Sequence, residues 1–146
     1  MDELRKEVWV KLTDRQNANG EQECIELTSR GVYTLLPDGC YSVEFKENFD
    51  EDAECTTTLT LLNKQCVLMV REGLYNSELT IEQDVRHSCH YATPYGSFMI
   101  GIFATNVSSD IKDGNGTLKM EYTIDFYSGL AAENEITVEI RSTEKN

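Results

Sequence analysis

Alternation with a period of two, sustained almost from one end of the chain to the other, most restricts what this sequence can fold into. Successive side chains of a strand point to opposite faces, whereas an amphipathic helix repeats its apolar residues at i, i+3, i+4 and i+7. The helical pattern is almost missing. Residues 7–15 set Val8, Val10 and Leu12 on one phase against Trp9, Lys11 and Thr13 on the other. Residues 40–47 alternate Tyr41, Val43 and Phe45 with Ser42, Glu44 and Lys46, and residues 117–127 place Leu118, Met120, Tyr122, Ile124 and Phe126 in phase. Along residues 21–36 the in-phase set is Ile25, Leu27, Tyr33 and Leu35, and Gly31 in their midst predicts a bulge or a sharp bend.

Weaker forms of the pattern predict strands over residues 56–62, 66–72, 75–82, 85–92, 97–106 and 136–140. Residues 66–70 are apolar on both phases; with Leu68 and Val70 taken as the inward set, Arg71 falls outward or near a strand end. Turn chemistry separates the strands at Asn19-Gly20, Pro37-Asp38-Gly39, Asn63-Lys64 and Asp113-Gly114-Asn115-Gly116. The last is the strongest hairpin signal, because Asp, Asn and Gly tolerate the positive φ of tight turns. Only residues 129–134 are expected to hold a short helical turn. About ten short strands joined by hairpin-length loops expose edges unless they form a sandwich or close on themselves, and closure removes the edges altogether. The predicted fold is all-β, a single antiparallel up-and-down barrel over residues 1–146.

A chain of 146 residues buries roughly 70% of its unfolded surface on folding, which suffices for one core without metals or disulfides. Acidic residues number 26 against 13 basic ones, a formal net charge of -13, and no segment gathers Lys and Arg. Nucleic acids and anionic bilayers would approach against that field, so both are disfavoured as partners, while a basic protein is compatible with it. The N-terminal residues carry no apolar signal segment, and no apolar run approaches the ~20 residues of a membrane-spanning helix. A cytoplasmic setting is expected. Cys24, Cys40, Cys55, Cys66 and Cys89 are irregularly spaced without a Cys-x-x-Cys pair, and they read as reduced thiols packed as small hydrophobes.

Arg71-x-Gly73, followed by His87-x-x-x-Tyr91-x-Thr93-Pro94-Tyr95-Gly96, is the most distinctive constellation in the chain. With Ile25-x-Leu27-Thr28-x-x-Gly31-x-Tyr33 and Leu118-x-Met120-x-Tyr122 it resembles the bacterial YwiB-like family, small cytosolic proteins of unknown function. The resemblance implies a calycin-like, lipocalin-like barrel of about eight to ten strands. It brings no reaction, ligand or functional residue. Physically, Pro94 holds Thr93 extended and Gly96 permits a turn, so the motif needs only a tight connection between strands; Tyr91, Thr93 and Tyr95 would then place aromatic faces and hydroxyls at a barrel rim.

Catalytic signatures are missing: there is no Gly-x-Ser-x-Gly elbow, P-loop, dinucleotide fingerprint or His-Glu-x-x-His. His87-Ser88-Cys89-His90 resembles a metal-ligand cluster, yet on a strand His87 and Cys89 share one face and His90 takes the other. Zinc wants three or four ligands, and a third would have to come from a distant residue such as Cys66 or Asp125. No metal or cofactor is expected. The sequence therefore predicts a non-catalytic binding module for a small apolar ligand in the barrel lumen or mouth, near Tyr41, Phe45, His87, Tyr91, Thr93, Tyr95 and Phe98. The alternative is a homodimeric or partner-binding module with a filled core, in which Trp9, Val67, Met69, Met99 and Phe103 cover an outer face.

Overall fold

The computed structural model describes residues 4–48, 54–73, 76–94, 96–126 and 129–143, with the backbone alone at Asn48, Thr93, Leu130 and Ala131. The alternating segments form ten strands: β1 (Arg5–Ala18), β2 (Glu21–Leu35), β3 (Tyr41–Asn48), β4 (Glu54–Asn63), β5 (Cys66–Gly73), β6 (Asn76–Glu82), β7 (Arg86–Thr93), β8 (Gly96–Ser109), β9 (Gly116–Phe126) and β10 (Gly129–Ser142). Each pairs antiparallel with its chain neighbours, and β1 also pairs with β10, which closes the barrel. The up-and-down order puts the connections after β1, β3, β5, β7 and β9 at one end and the others at the opposite end.

Tight turns behave as their residues require. Asn19 and Gly20 between β1 and β2, and Asp113 and Gly114 before β9, all take positive φ, the conformation that fits the twist of paired strands. Gly31 is not a bulge: the β1–β2 pairing runs unbroken through it, and its pair with Phe45 begins the β2–β3 ladder. Its smallness serves a close approach, because an added Cβ would lie 2.6 Å from the Glu44 carbonyl oxygen. Residues 129–134 are not helical either. They lie in β10, where pairing with β9 from Gly129 and with β1 from Glu133 outweighs the local preference of Leu130-Ala131-Ala132-Glu133. A register shift between Leu130 and Ala132 breaks the alternation there and hides the strand in the sequence.

The inward phase builds one continuous core from Val8, Val10, Leu12, Tyr41, Val43, Phe45, Ile102, Leu118, Met120, Ile136 and Val138, all nearly inaccessible to solvent. Val67 and Met69 belong to it too. The inward phase of β5 is the reverse of the one expected, with Val67, Met69 and Arg71 inside and Leu68 and Val70 half-buried outside. That correction dismantles the expected outer patch, since two of its five members are core. Trp9 remains outside at 44% exposure, but the Arg30 guanidinium lies over its ring at 4.6 Å, and Met99 stands on β8, across β10 and β9.

Candidate functional site

The barrel interior changes character along its length. Towards the end that carries the β1–β2 turn, the inward phase of six strands passes from apolar to polar. Leu12 is followed by Asp14 on β1, Phe45 by Glu47 on β3, Leu59 by Thr57 on β4, Met69 by Arg71 on β5, Leu79 by Ser77 on β6 and Ile136 by Asn134 on β10. Tyr122 of β9 joins them, with its backbone paired to Asn134. Seven strands thus contribute to a polar ring lying on the apolar core.

One ion pair anchors this ring. Arg71 donates from Nε to Glu47 Oε2 at 2.9 Å and from Nη2 to Oε1 at 3.5 Å, and the Thr57 hydroxyl donates to the same carboxylate. The two charged side chains are only 16% and 7% exposed. Burial works to lower the Arg71 guanidinium's proton affinity, and the charge and hydrogen bonds of Glu47 more than reverse it. Arg71 therefore stays a fixed cation inside the barrel, not outward as its sequence phase suggested, and its partner is Glu47.

The remaining members are less well matched. Asn134 Nδ2 donates to Asp14 Oδ1 at 3.4 Å, but Asn134 Oδ1 and, on the opposite wall, Ser77 Oγ are buried without a hydrogen-bond partner among the described residues. Burial raises the Asp14 carboxyl above its usual range, against the pull of Asn134 and Arg71. The Tyr122 hydroxyl is pushed far up by burial and then by the nearby Asp14 charge. Unmatched buried polar atoms are rare in folded proteins because each costs about 1–3 kcal/mol.

Beyond the ring, towards the same end, the inward phase turns aromatic. Tyr91 of β7 pairs with Phe98 of β8, and Phe98 meets Phe126 of β9 edge-on, with centroids 6.0 Å apart and planes at 71°. Phe98 is 40% exposed, so this cluster forms a rim and not part of the core. A concavity of about 850 Å³ spans β8, β9, β10, β1 and β2 at the level of the ring; Tyr122 and Asn134 line it beside Arg15, Glu23, Glu121, Glu133 and Glu135.

The residues proposed from sequence are split between the two ends. Tyr91 and Phe98 stand at this mouth, with the Thr93 backbone beside them; Tyr95 falls outside the described residues. Phe45 is core, one inward position below Glu47. Tyr41 and His87 lie towards the opposite end. The Tyr41 hydroxyl is 2.7 Å from Ser109 Oγ, and burial pushes it up to about 12. His87 Nε2 is 2.8 Å from Glu82 Oε1, a half-buried contact beside the β6–β7 turn. Cys89 shares the inward face with His87 while His90 is exposed, and the Cys89 thiol accepts a hydrogen bond from the Thr80 amide at 3.4 Å, where the short β6–β7 ladder has ended. Asp125 is held by Arg86 at 2.6 and 3.0 Å. Among the described residues no three of His, Cys, Asp and Glu gather as a metal site.

As a ring these residues escaped the sequence reading, although a signal for three of them existed. Asp14, Glu47 and Asn134 each continue an unambiguous apolar phase by one more step of two, and the three fall at the same end of their strands. Arg71 carried no such signal, because β5 is apolar on both phases.

A closed ten-strand antiparallel meander with an apolar core, a polar ring and an aromatic rim defines an up-and-down barrel of the kind that encloses its own side chains or a small ligand. The chain belongs to the family described as "Domain of unknown function (DUF1934)", which matches residues 10–138. Its fold is similar to that in the crystal structure of ywiB protein from Bacillus subtilis, with a TM-score of 0.79 over 96% of this chain and 95% of that one at 16% identity. No curated protein matches the sequence. Among the described residues no helix is long and apolar enough to cross a membrane.

Proposed function

We propose that the protein is a binding module that takes a small, largely apolar ligand bearing a polar head into the barrel mouth beside the β1–β2, β7–β8 and β9–β10 turns. The observation that carries this reading is the pair of buried atoms without a partner among the described residues, Ser77 Oγ and Asn134 Oδ1, in a ring directly above the apolar core. A polar layer that served stability alone would satisfy its own members. A ligand head supplies the missing partners, and Tyr91, Phe98 and Phe126 supply an apolar wall for the rest of the molecule. The packed lumen below leaves the mouth as the place of binding.

A fragment screen by NMR tests this reading, with the side-chain signals of Tyr91, Phe98 and Ile124 as reporters. Binders should shift those signals, and Asn134→Leu, which removes the unpartnered acceptor, should weaken them without altering the rest of the spectrum. Binders that leave the mouth signals unmoved, or that ignore Asn134→Leu, would defeat it.

A second reading, an interaction module, is favoured by one edge. β2 pairs with β3 only from Gly31 onward, so the outer edge of residues 21–30 is without a strand among the described residues, and Ile25 there is 51% exposed. Such an edge can add a strand. A second copy paired about a two-fold centre between Ile25 and Glu26 would set Glu21 against Arg30 at both ends. Light scattering across a concentration series that finds only monomer would exclude it, and Ile25→Lys should dissolve any dimer that forms.

A further inference from the structure

We infer that the head group this mouth selects is an organic ammonium, so that the ligand is a small amphiphilic amine. The inference rests on the mouth reading above and adds the sign of the charge. Three features of the molecule point the same way.

First, beside the Ser77 hydroxyl, which both donates and accepts, what the ring leaves unmatched is accepting capacity. Asn134 turns its amide nitrogen to Asp14 and leaves Oδ1 unpartnered, while no cation stands within ion-pair distance of Asp14 among the described residues. Arg71, the one cation of the ring, is already bound by both oxygens of Glu47. A carboxylate or phosphate head would meet a guanidinium whose charge Glu47 already balances, with the Asp14 carboxyl close by. An ammonium meets no such opposition: it brings three donors and no acceptor, and Asp14, Asn134 Oδ1 and the neighbouring Tyr122 hydroxyl accept.

Second, the wall beyond is aromatic. Phe126 stands two inward positions from Tyr122 on β9, roughly 13 Å along the strand, so the alkyl chain of an amine held at the ring runs towards the rim. Ring faces attract a cation on its way in as well as the methylenes that follow it. Third, the field has the right sign. The concavity beside Tyr122 and Asn134 carries Glu23, Glu121, Glu133 and Glu135 against Arg15 and against Lys119, which pairs with Glu121 and Glu135; acid is still in excess there, and the whole chain carries a net charge of -13. Cations concentrate there and anions are turned away.

Calorimetry on the full chain with hexylammonium chloride, 1-hexanol and sodium hexanoate tests the inference, because the three share a chain and differ in the head. Hexylammonium should bind with a stoichiometry of one, about tenfold or more tighter than hexanol, as a charge-assisted hydrogen bond implies, and hexanoate should bind worst. Its NMR shifts should fall on Tyr91 and Phe98, which separates the site from loose association with surface carboxylates. Asp14→Asn should erase the preference for ammonium over alcohol. Equal affinities, or hexanoate tightest, would overturn the inference and leave the mouth reading standing; three silent titrations with unmoved Tyr91 and Phe98 signals would overturn both. The head-group order on the unaltered chain decides the matter even if Asp14→Asn does not fold.

Discussion

Replacing Arg71 by methionine removes the ring's fixed cation while keeping most of its volume. Glu47 then remains, its side chain 7% exposed, with the Thr57 hydroxyl as the one donor left from its present set. Breaking a buried pair in this way costs about 3–5 kcal/mol, because the surviving charge keeps its desolvation penalty and loses its compensation. Against a total stability of about 5–15 kcal/mol for a domain, that is a large share. Glu47→Leu should cost a comparable amount by stranding Arg71. The double variant, Arg71→Met with Glu47→Leu, should lose far less than the sum, since apolar replacement of a whole buried pair is often neutral. Guanidinium unfolding of the wild type, the two single variants and the double variant closes the cycle. A cost below about 1 kcal/mol for Arg71→Met, or strict additivity in the double variant, would refute the claim that this pair anchors the ring.

Three further outcomes follow from particular residues. The Asp14 carboxyl is raised by burial, so its contribution to stability is fully present below its unfolded value of about 3.9 and is lost as pH rises through its folded value. Asp14→Asn should therefore gain on the wild type as pH rises from about 4 towards neutrality, and parallel pH profiles would show that Asp14 is not strained by burial. Gly31→Ala puts a methyl group 2.6 Å from the Glu44 carbonyl, backbone that does not yield cheaply, and should destabilise by about 1–3 kcal/mol in thermal unfolding; no loss would mean that β3 does not press on β2 there. Cys24 is exposed while Cys55, Cys66 and Cys89 are buried, with the Cys66 and Cys89 thiols pushed up by burial. An aromatic disulfide reagent should modify Cys24 fast and those three only on unfolding, and rapid reaction of all five would contradict the packing described.

How far the sequence disclosed this molecule depended on contrast between phases. Where one phase was apolar and the other charged, as with Tyr41, Val43 and Phe45 or with Leu118, Met120 and Tyr122, the inward face and the strand could both be read directly. Where both phases were apolar, as in Val67-Leu68-Met69-Val70, alternation held no information, and the inward face came out reversed together with the placement of Arg71. Register shifts did similar damage. The irregularity between Ala104 and Asn106 moves the inward phase of β8 from Ile102 and Ala104 to Val107, and that between Leu130 and Ala132 made part of a strand look helical. The candidate site was half visible. Tyr91 and Phe98 could be put at a rim, but Tyr41 and His87 were assigned to the same mouth because alternation fixes the face of a strand, not the end of the barrel. Counting steps along each strand from its turn would have separated them and brought Asp14, Glu47 and Asn134 to one level.

Whether the polar ring is a place where something binds decides what the barrel is for. A crystal structure of the protein grown with hexylammonium tests that most directly. The predicted result is electron density for the amine in the mouth, its nitrogen within hydrogen-bond distance of Asn134 Oδ1 and Asp14 and its chain along Phe98 and Phe126, with Arg71 and Glu47 still joined. Density only at surface carboxylates, with Asn134 Oδ1 and Ser77 Oγ satisfied by neighbouring side chains, would contradict it and return the ring to the core.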